Sequence, residues 1–222
     1  MGVSDPLIQL RGIGFAYTGG PLVLEGLDLQ LHAGERLGLV GANGSGKTTL
    51  LHITVGLLRP TAGEVHAFGR VRRDERDFAE VRRRAGLLFQ DPEDQLFCPT
   101  VAEDVAFGPL NLGKSRDEVR AIVADTLDRL GLAGYGPRIT YKLSGGEKRL
   151  VSLAAVLAMQ PDVLLLDEPT AGLDETSEAR LIDILADLPL AMLVVSHDHT
   201  FLNATTERAV RLNGGRLAPF ER

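Results

Sequence analysis

The stretch Leu37-Gly38-Leu39-Val40-Gly41-Ala42-Asn43-Gly44-Ser45-Gly46-Lys47-Thr48 decides the fold. Its first four residues are an uncharged run that follows Gly34-Glu35 and reads as a strand. The next eight fit the pattern GxxxxGK[ST]. From Thr48 to Leu58 the chain has helical character, and Arg59-Pro60 is expected to end it because proline cannot continue a helix. A strand, a glycine-rich loop and a helix in that order aim backbone N–H groups and the positive end of a helix at one point, which suits a phosphate. Gly41, Asn43, Gly44, Ser45 and Gly46 shape this loop, Lys47 reaches β- and γ-phosphates, Thr48 is placed to bind Mg²⁺, and Thr49 joins the nucleotide-binding set.

Working outward, Leu7 to Leu10 and the alternating Leu27 to Leu31 read as antiparallel strands separated by the turn Gly19-Gly20-Pro21. From Ser115 to Leu130, Val119, Ile122, Val123, Thr126, Leu127 and Leu130 recur at helical spacing between charges. A second apolar helix is expected from Ser144 to about Met159, closed by Pro161. Val163 to Leu166 and Met192 to Val195 are short apolar runs of the kind buried on both faces, and Arg208 to Leu212 reads as the last strand. Strands alternating with helices imply a parallel sheet whose ligands sit at the carboxyl ends of its strands.

The 222 residues, 44% hydrophobic, predict one domain spanning 1–222. No run approaches the roughly 18 apolar residues of a membrane-spanning helix, and Met1 to Leu10 lacks the pattern of a signal peptide, so a cytosolic or peripheral protein is expected. A net charge of -6 opposes nucleic-acid binding. Cys98 is the one cysteine, which rules out an intrachain disulfide. His32, His52 and His66 are dispersed and only His197 and His199 are close, so no histidine metal cluster is expected. The arginines at 70, 72, 73 and 82–84 alternate with Asp74, Glu75, Asp77 and Glu80 and read as a solvated mixed-charge face.

Two further motifs carry chemistry. Asp167 and Glu168 end a strand expected to be buried, where two carboxylates are costly without a cation or donors. Asp167 is the candidate Mg²⁺ ligand and Glu168 the group that polarises an attacking water. Leu143-Ser144-Gly145-Gly146-Glu147 opens a helix with a hydroxyl and two glycines, a second N-terminus suited to phosphate.

With these three motifs in order, the chain resembles the ABC ATPases over essentially its whole length, Ser144 to Glu147 being similar to their signature segment. The resemblance implies an α/β P-loop NTPase fold: a RecA-like parallel-sheet core, an N-terminal antiparallel β subdomain, and an inserted α-helical subdomain at about 91–160. It implies that Tyr17 stacks on adenine, that Gln90 contacts Mg²⁺ and the attacking water, that Asp174 lies in the D-loop, and that His197 contacts the γ-phosphate. It implies ATP and Mg²⁺ as ligands and a head-to-tail homodimer, in which Ser144, Gly145 and Gly146 of one copy face the nucleotide of the other.

Phe89 to Phe97 and Thr100 to Pro109 are similar to the corresponding region of energy-coupling-factor importer ATPases, especially the cobalt and nickel type. That implies two membrane partners, a transmembrane coupling subunit and a substrate-binding subunit, and a peripheral place on the cytoplasmic membrane face. The acidic turn Asp91, Glu93, Asp94 would receive basic helices of the coupling subunit. Glu147 in place of the more usual Gln, and Leu150 where many relatives carry Arg, depart from the family pattern. The chain ends soon after Arg208 to Leu212, so the extra C-terminal domain of many relatives is expected to be absent. A vitamin cargo such as biotin, a soluble ATPase acting on DNA or ribosomes, and a nucleotide-gated module with negligible turnover remain the alternatives.

Overall fold

The computed structural model describes residues 5–220. In chain order its elements begin β1 (Ile8–Ala16), β2 (Leu22–Leu31), β3 (Arg36–Val40), α1 (Lys47–Thr54), β4 (Ala62–Ala67), β5 (Arg70–Arg72), α2 (Glu75–Arg84) and β6 (Ala85–Leu88). They continue α3 (Val101–Asn111), α4 (Arg116–Arg129), α5 (Gly145–Leu157), β7 (Val163–Asp167), α6 (Glu175–Ala186), β8 (Ala191–Val195), α7 (His199–Thr205), β9 (Arg208–Asn213) and β10 (Arg216–Phe220). The contacts divide the chain into two units, one of residues 1–87, 162–168 and 189–222, the other of 88–161 and 169–188.

The first unit holds two sheets. The six-stranded sheet has the order β10-β9-β3-β8-β7-β6, and β3, β7, β8 and β9 run parallel, with β10 antiparallel to β9. Every residue of β7 and β8 is buried, which is why both read as continuous apolar runs rather than as alternation. The antiparallel sheet has the order β2-β1-β4-β5. Ile8, Leu10, Leu24 and Leu31 from it join Leu37 and Leu39 of β3 and Leu50, Leu51 and Ile53 of α1 in one buried cluster. Each such side chain contributes about 1.5–3 kcal/mol relative to exposure.

Three local expectations are corrected in this unit. Helix α1 ends at Thr54, four residues before the expected Leu58, because Gly56 adopts φ 74°. The Leu57 N–H then donates to the His52 carbonyl at 2.8 Å and the Gly56 N–H to the Ile53 carbonyl at 3.1 Å, a closure that needs a left-handed residue. A Cβ at Gly56 would lie 2.1 Å from the Phe78 ring. The arginine run is not wholly solvated: Arg72 is 4% exposed and donates from Nε and Nη2 to the Ala67 carbonyl, and from Nη1 to Glu80 at 2.6 Å. The last strand is β10 rather than the one at Arg208 to Leu212; it pairs back on β9 from Arg216↔Asn213 to Phe220↔Ala209.

The second unit is helical. Thr100, Ser115 and Ser144 cap α3, α4 and α5, and in each case the Glu three residues on returns the bond to the cap's own N–H. Helix α4 starts and stops as its pattern predicts and buries Val119, Val123, Thr126 and Leu127. Asp104 of α3, 4% exposed, accepts the N–H groups of Phe97 and Cys98 and the Thr140 hydroxyl, tying two loops to the helix.

Candidate functional site

Neighbouring strands of the large sheet deliver three segments to their shared carboxyl edge. In register, Leu39 lies beside Val195 and Val195 beside Asp167, so the glycine loop after β3, the acidic pair at the end of β7 and His197 after β8 leave the sheet together. The loop is tightly built. A Cβ on Gly41 would lie 2.6 Å from the Leu212 carbonyl oxygen, and Gly46, the N-cap of α1, has φ 105° and sits against Val23 and Leu24. Gly44 is left-handed at φ 76°, and Asn43 is exposed at the loop's outer turn. Lys47, 7% exposed, donates from Nζ to the carbonyls of Gly41 at 2.9 Å and Ala42 at 3.1 Å. Ser45 Oγ is buried with no hydrogen-bond partner among the described residues, an unmet donor inside an anion-shaped loop.

Thr48 Oγ1 donates to Asp167 Oδ2 at 2.6 Å across 119 positions of sequence. Asp167 is 3% exposed, and burial pushes its carboxyl above the ordinary range; the neighbouring charge of Glu168 adds to this, and the Thr48 bond opposes it. Glu168, 6% exposed, has φ 45°, a conformation rare for a residue with a side chain. Its N–H donates to the Val195 carbonyl at 2.9 Å, and its Oε2 lies 2.9 Å from Nδ1 of His197, whose N–H also donates to it at 3.3 Å. Tyr17, half exposed, meets Phe15 edge-on and its hydroxyl lies 3.0 Å from Thr49 Oγ1. Of the residues singled out in the sequence, the first unit therefore brings together the loop, Thr48, Asp167, Glu168 and His197, with Tyr17 tied to Thr49.

Gln90, Ser144, Gly145, Gly146, Glu147 and Asp174 belong to the second unit. Ser144 caps α5 and Asp174 caps α6, accepting the Ser177 N–H at 2.8 Å. A cleft of about 510 Å³ is lined by Ser144, Gly145, Gly146, Glu147, Asp174 and Arg180 among others. Glu147 accepts from the Ser144 N–H at 2.8 Å, the Tyr135 hydroxyl at 2.9 Å and Arg138 at 3.0 Å. These donors, the Ser144 N–H foremost, hold its carboxyl below the ordinary range. The departure at Leu150 has a simple physical outcome: Leu150 is buried as an apolar residue, and the adjacent Arg149 carries a buried guanidinium that sequence reasoning passed over.

A glycine loop at a strand's carboxyl end, with a buried acidic pair at the same end of the next strand but one, defines a P-loop nucleotide-binding cassette. The chain belongs to the ABC transporter family, whose model matches residues 24–171. It is 56% identical over 214 residues to a putative ABC transporter ATP-binding protein of Brucella suis, covering 96% of this chain and 89% of that one. An energy-coupling factor transporter ATP-binding protein of Methanothermobacter thermautotrophicus is 44% identical over 216 residues, covering 95% and 69%. Among solved structures, cbiO1 of Clostridium perfringens, described as part of the transporter complex cbiONQ, superposes with a TM-score of 0.87 at 31% identity, covering 97% and 88%. A dimeric ATP-binding cassette in a post-hydrolysis state with ADP and Pi superposes at 0.85 and 27%, covering 97% and 99%. The family and fold expected from the sequence motifs are borne out.

Proposed function

We infer that the chain is the ATP-binding and ATP-hydrolysing subunit of an energy-coupling-factor importer, with cobalt, or nickel, as the cargo. The observation that carries the hydrolytic reading is the 2.6 Å bond from Thr48 to buried Asp167, with Glu168 and His197 in contact beside it. Mg²⁺ takes oxygen ligands, so Thr48 and the buried Asp167 carboxylate suit it, with Gln90 added by the family resemblance; bound there it would neutralise charge on the β- and γ-phosphoryl oxygens. Backbone N–H groups of Gly41 to Thr49, Ser45 Oγ and the Lys47 ammonium bind and orient the triphosphate, and Tyr17 offers its ring to the adenine. The Glu168 carboxylate polarises the attacking water, and His197 holds that carboxylate in one orientation and reaches the γ-phosphate.

Each chain has one glycine loop and one Ser144-Gly145-Gly146 segment, so two copies pair head to tail, with Asp174 and Glu147 beside the partner's nucleotide. The closeness to a dimeric cassette supports this. Two membrane subunits, one coupling and one substrate-binding, complete the importer, and the chain lies peripherally at the cytoplasmic membrane face. No helix of the described residues is long and apolar enough to cross a membrane. The resemblance around Phe89 to Pro109 supports cobalt or nickel, and identifying the membrane subunits that copurify tests that cargo.

The deciding experiment is Mg-dependent ATP hydrolysis with Glu168→Gln as the control, alone and with the copurifying membrane subunits. Loss of turnover by about 10²–10⁴-fold with ATP binding retained is expected of a missing general base. Wild-type turnover in the variant sinks the assignment of Glu168.

A further inference from the structure

The buried guanidinium of α5 has no part in the reading above. Arg149 is 2% exposed, and its two terminal nitrogens donate to successive carbonyls, Nη1 to Phe89 and Nη2 to Gln90, each at 2.6 Å. A planar fork bonded to two neighbouring carbonyls fixes the direction of the chain as well as its place. The same short segment is fastened to α5 twice more. Gln95 accepts the Phe89 N–H at 3.2 Å and donates to the Ser152 carbonyl at 2.9 Å, and Lys148 pairs with Glu93 at 2.6 Å. Three side-chain attachments within about one turn of α5, at Lys148, Arg149 and Ser152, therefore hold residues 89–95 against the helix that Ser144 opens.

Packing alone does not call for this residue. Burying a charge costs several kcal/mol before any partner is found, and an apolar side chain of similar size fills such a space as well or better. What an apolar residue cannot do is fix two peptide planes next to the Gln90 side chain. We propose that Arg149 is the positioning residue for Gln90, holding its backbone so that its side chain presents one fixed geometry to the reaction. The proposal rests on the reading of Gln90 as the group that contacts Mg²⁺ and the attacking water.

A kinetic double-mutant cycle on the full chain with its copurified membrane subunits tests it. Arg149→Lys keeps the charge and loses the fork. Its kcat is expected to fall toward 10²-fold, about what a 1 Å misplacement costs, with the KM for ATP unchanged and the Mg²⁺ concentration for half-activation raised. Gln90→Ala lowers kcat too, and adding Arg149→Lys to it costs nothing more, because both act through one side chain. A double variant whose losses multiply, or an Arg149→Lys enzyme with wild-type kcat and Mg²⁺ dependence, overturns the proposal. A Gln90→Ala enzyme of wild-type kcat would instead remove the reading of Gln90 on which it rests. Should Arg149→Lys lose its cooperative melting transition, Gln95→Ala releases the same segment without emptying the guanidinium site. Its smaller fall in kcat must also vanish in the Gln90→Ala background, and a fall that persists there refutes positioning through Gln90.

Discussion

Thr48→Val keeps the shape of residue 48 and deletes the donor that meets Asp167 at 2.6 Å. A hydrogen bond to an ionised partner contributes about 1.5–3 kcal/mol, and here the acceptor is 3% exposed, so water cannot replace the lost donor. At the size of this chain each kcal/mol moves the midpoint by about 2–4 °C, so the nucleotide-free variant should melt about 3–12 °C lower at pH 7. The loss must also depend on pH. Burial raises the Asp167 carboxyl above its ordinary 3.8, so the stability this group supplies is full below 3.8 and declines as pH rises through the raised value. Removing Thr48's donor raises that value further. The gap between variant and wild type should therefore open as pH rises through Asp167's titration and shrink, toward the ~0.5–1.5 kcal/mol of a neutral pair, on acidification. Denaturant unfolding at a series of pH values from 4 upward, without nucleotide, reads this directly. An equal destabilisation at every pH refutes the reasoning, because a packing defect has no reason to follow the charge on Asp167.

Tyr17→Ala removes the exposed ring proposed to stack on adenine, and stacking of about 1–3 kcal/mol predicts an ATP affinity lower by roughly 5- to 150-fold in a nucleotide titration, while Tyr17→Phe loses only the contact with Thr49. Equal affinity in the alanine variant removes Tyr17 from the site. Cys98 has its thiol pushed up to about 11, first by burial and then by Asp104, so iodoacetamide should barely label it at pH 8 and increasingly toward pH 11. Labelling at pH 8 at the rate of a free thiol would mean that Cys98 is not shielded by burial beside Asp104. Phe97 and Phe107 pack edge-on at 4.8 Å yet stand 64% and 46% exposed, so Phe97→Ser should weaken copurification with the membrane subunits and leave ATP binding untouched. Unchanged copurification excludes this patch as their contact.

Local pattern reports local structure well. The acidic pair is legible because two adjacent carboxylates end an apolar run, although their partners Thr48 and His197 lie 119 and 29 positions away. The glycine loop and Ser144 with Glu147 three residues later are legible because each works through backbone groups a few positions apart. The amphipathic face of α4 and the apolar runs of β7 and β8 were legible for the same reason. The end of α1 was not: Gly56 and Pro60 are both terminators, and only the Phe78 ring against Gly56 and the His52 carbonyl show which one acts. Arg72 and Arg149 were misread or missed because their acceptors include the carbonyls of Ala67, Phe89 and Gln90, and a carbonyl leaves no mark in a sequence. The acidic turn is also less free than its composition implied. Asp91 accepts the Glu93 N–H and Glu93 pairs with Lys148, which leaves Asp94 as its third acid.

Glu168 shows why the least legible feature stands where the chemistry is proposed. β7 is buried on both faces through Asp167, and the next residue must leave the sheet at once if its carboxylate is to come near His197. A left-handed turn at φ 45° does this in a single residue, at a cost of about 1–3 kcal/mol for a side chain that is not glycine. Glycine would adopt the turn without strain but bring no carboxylate. The Val195 carbonyl takes the Glu168 N–H, extending the β7–β8 ladder one step beyond the strand and holding the turn. Local propensity loses here to the need for one carboxylate in one place, and such a loss is expected where function rather than stability selects the residue.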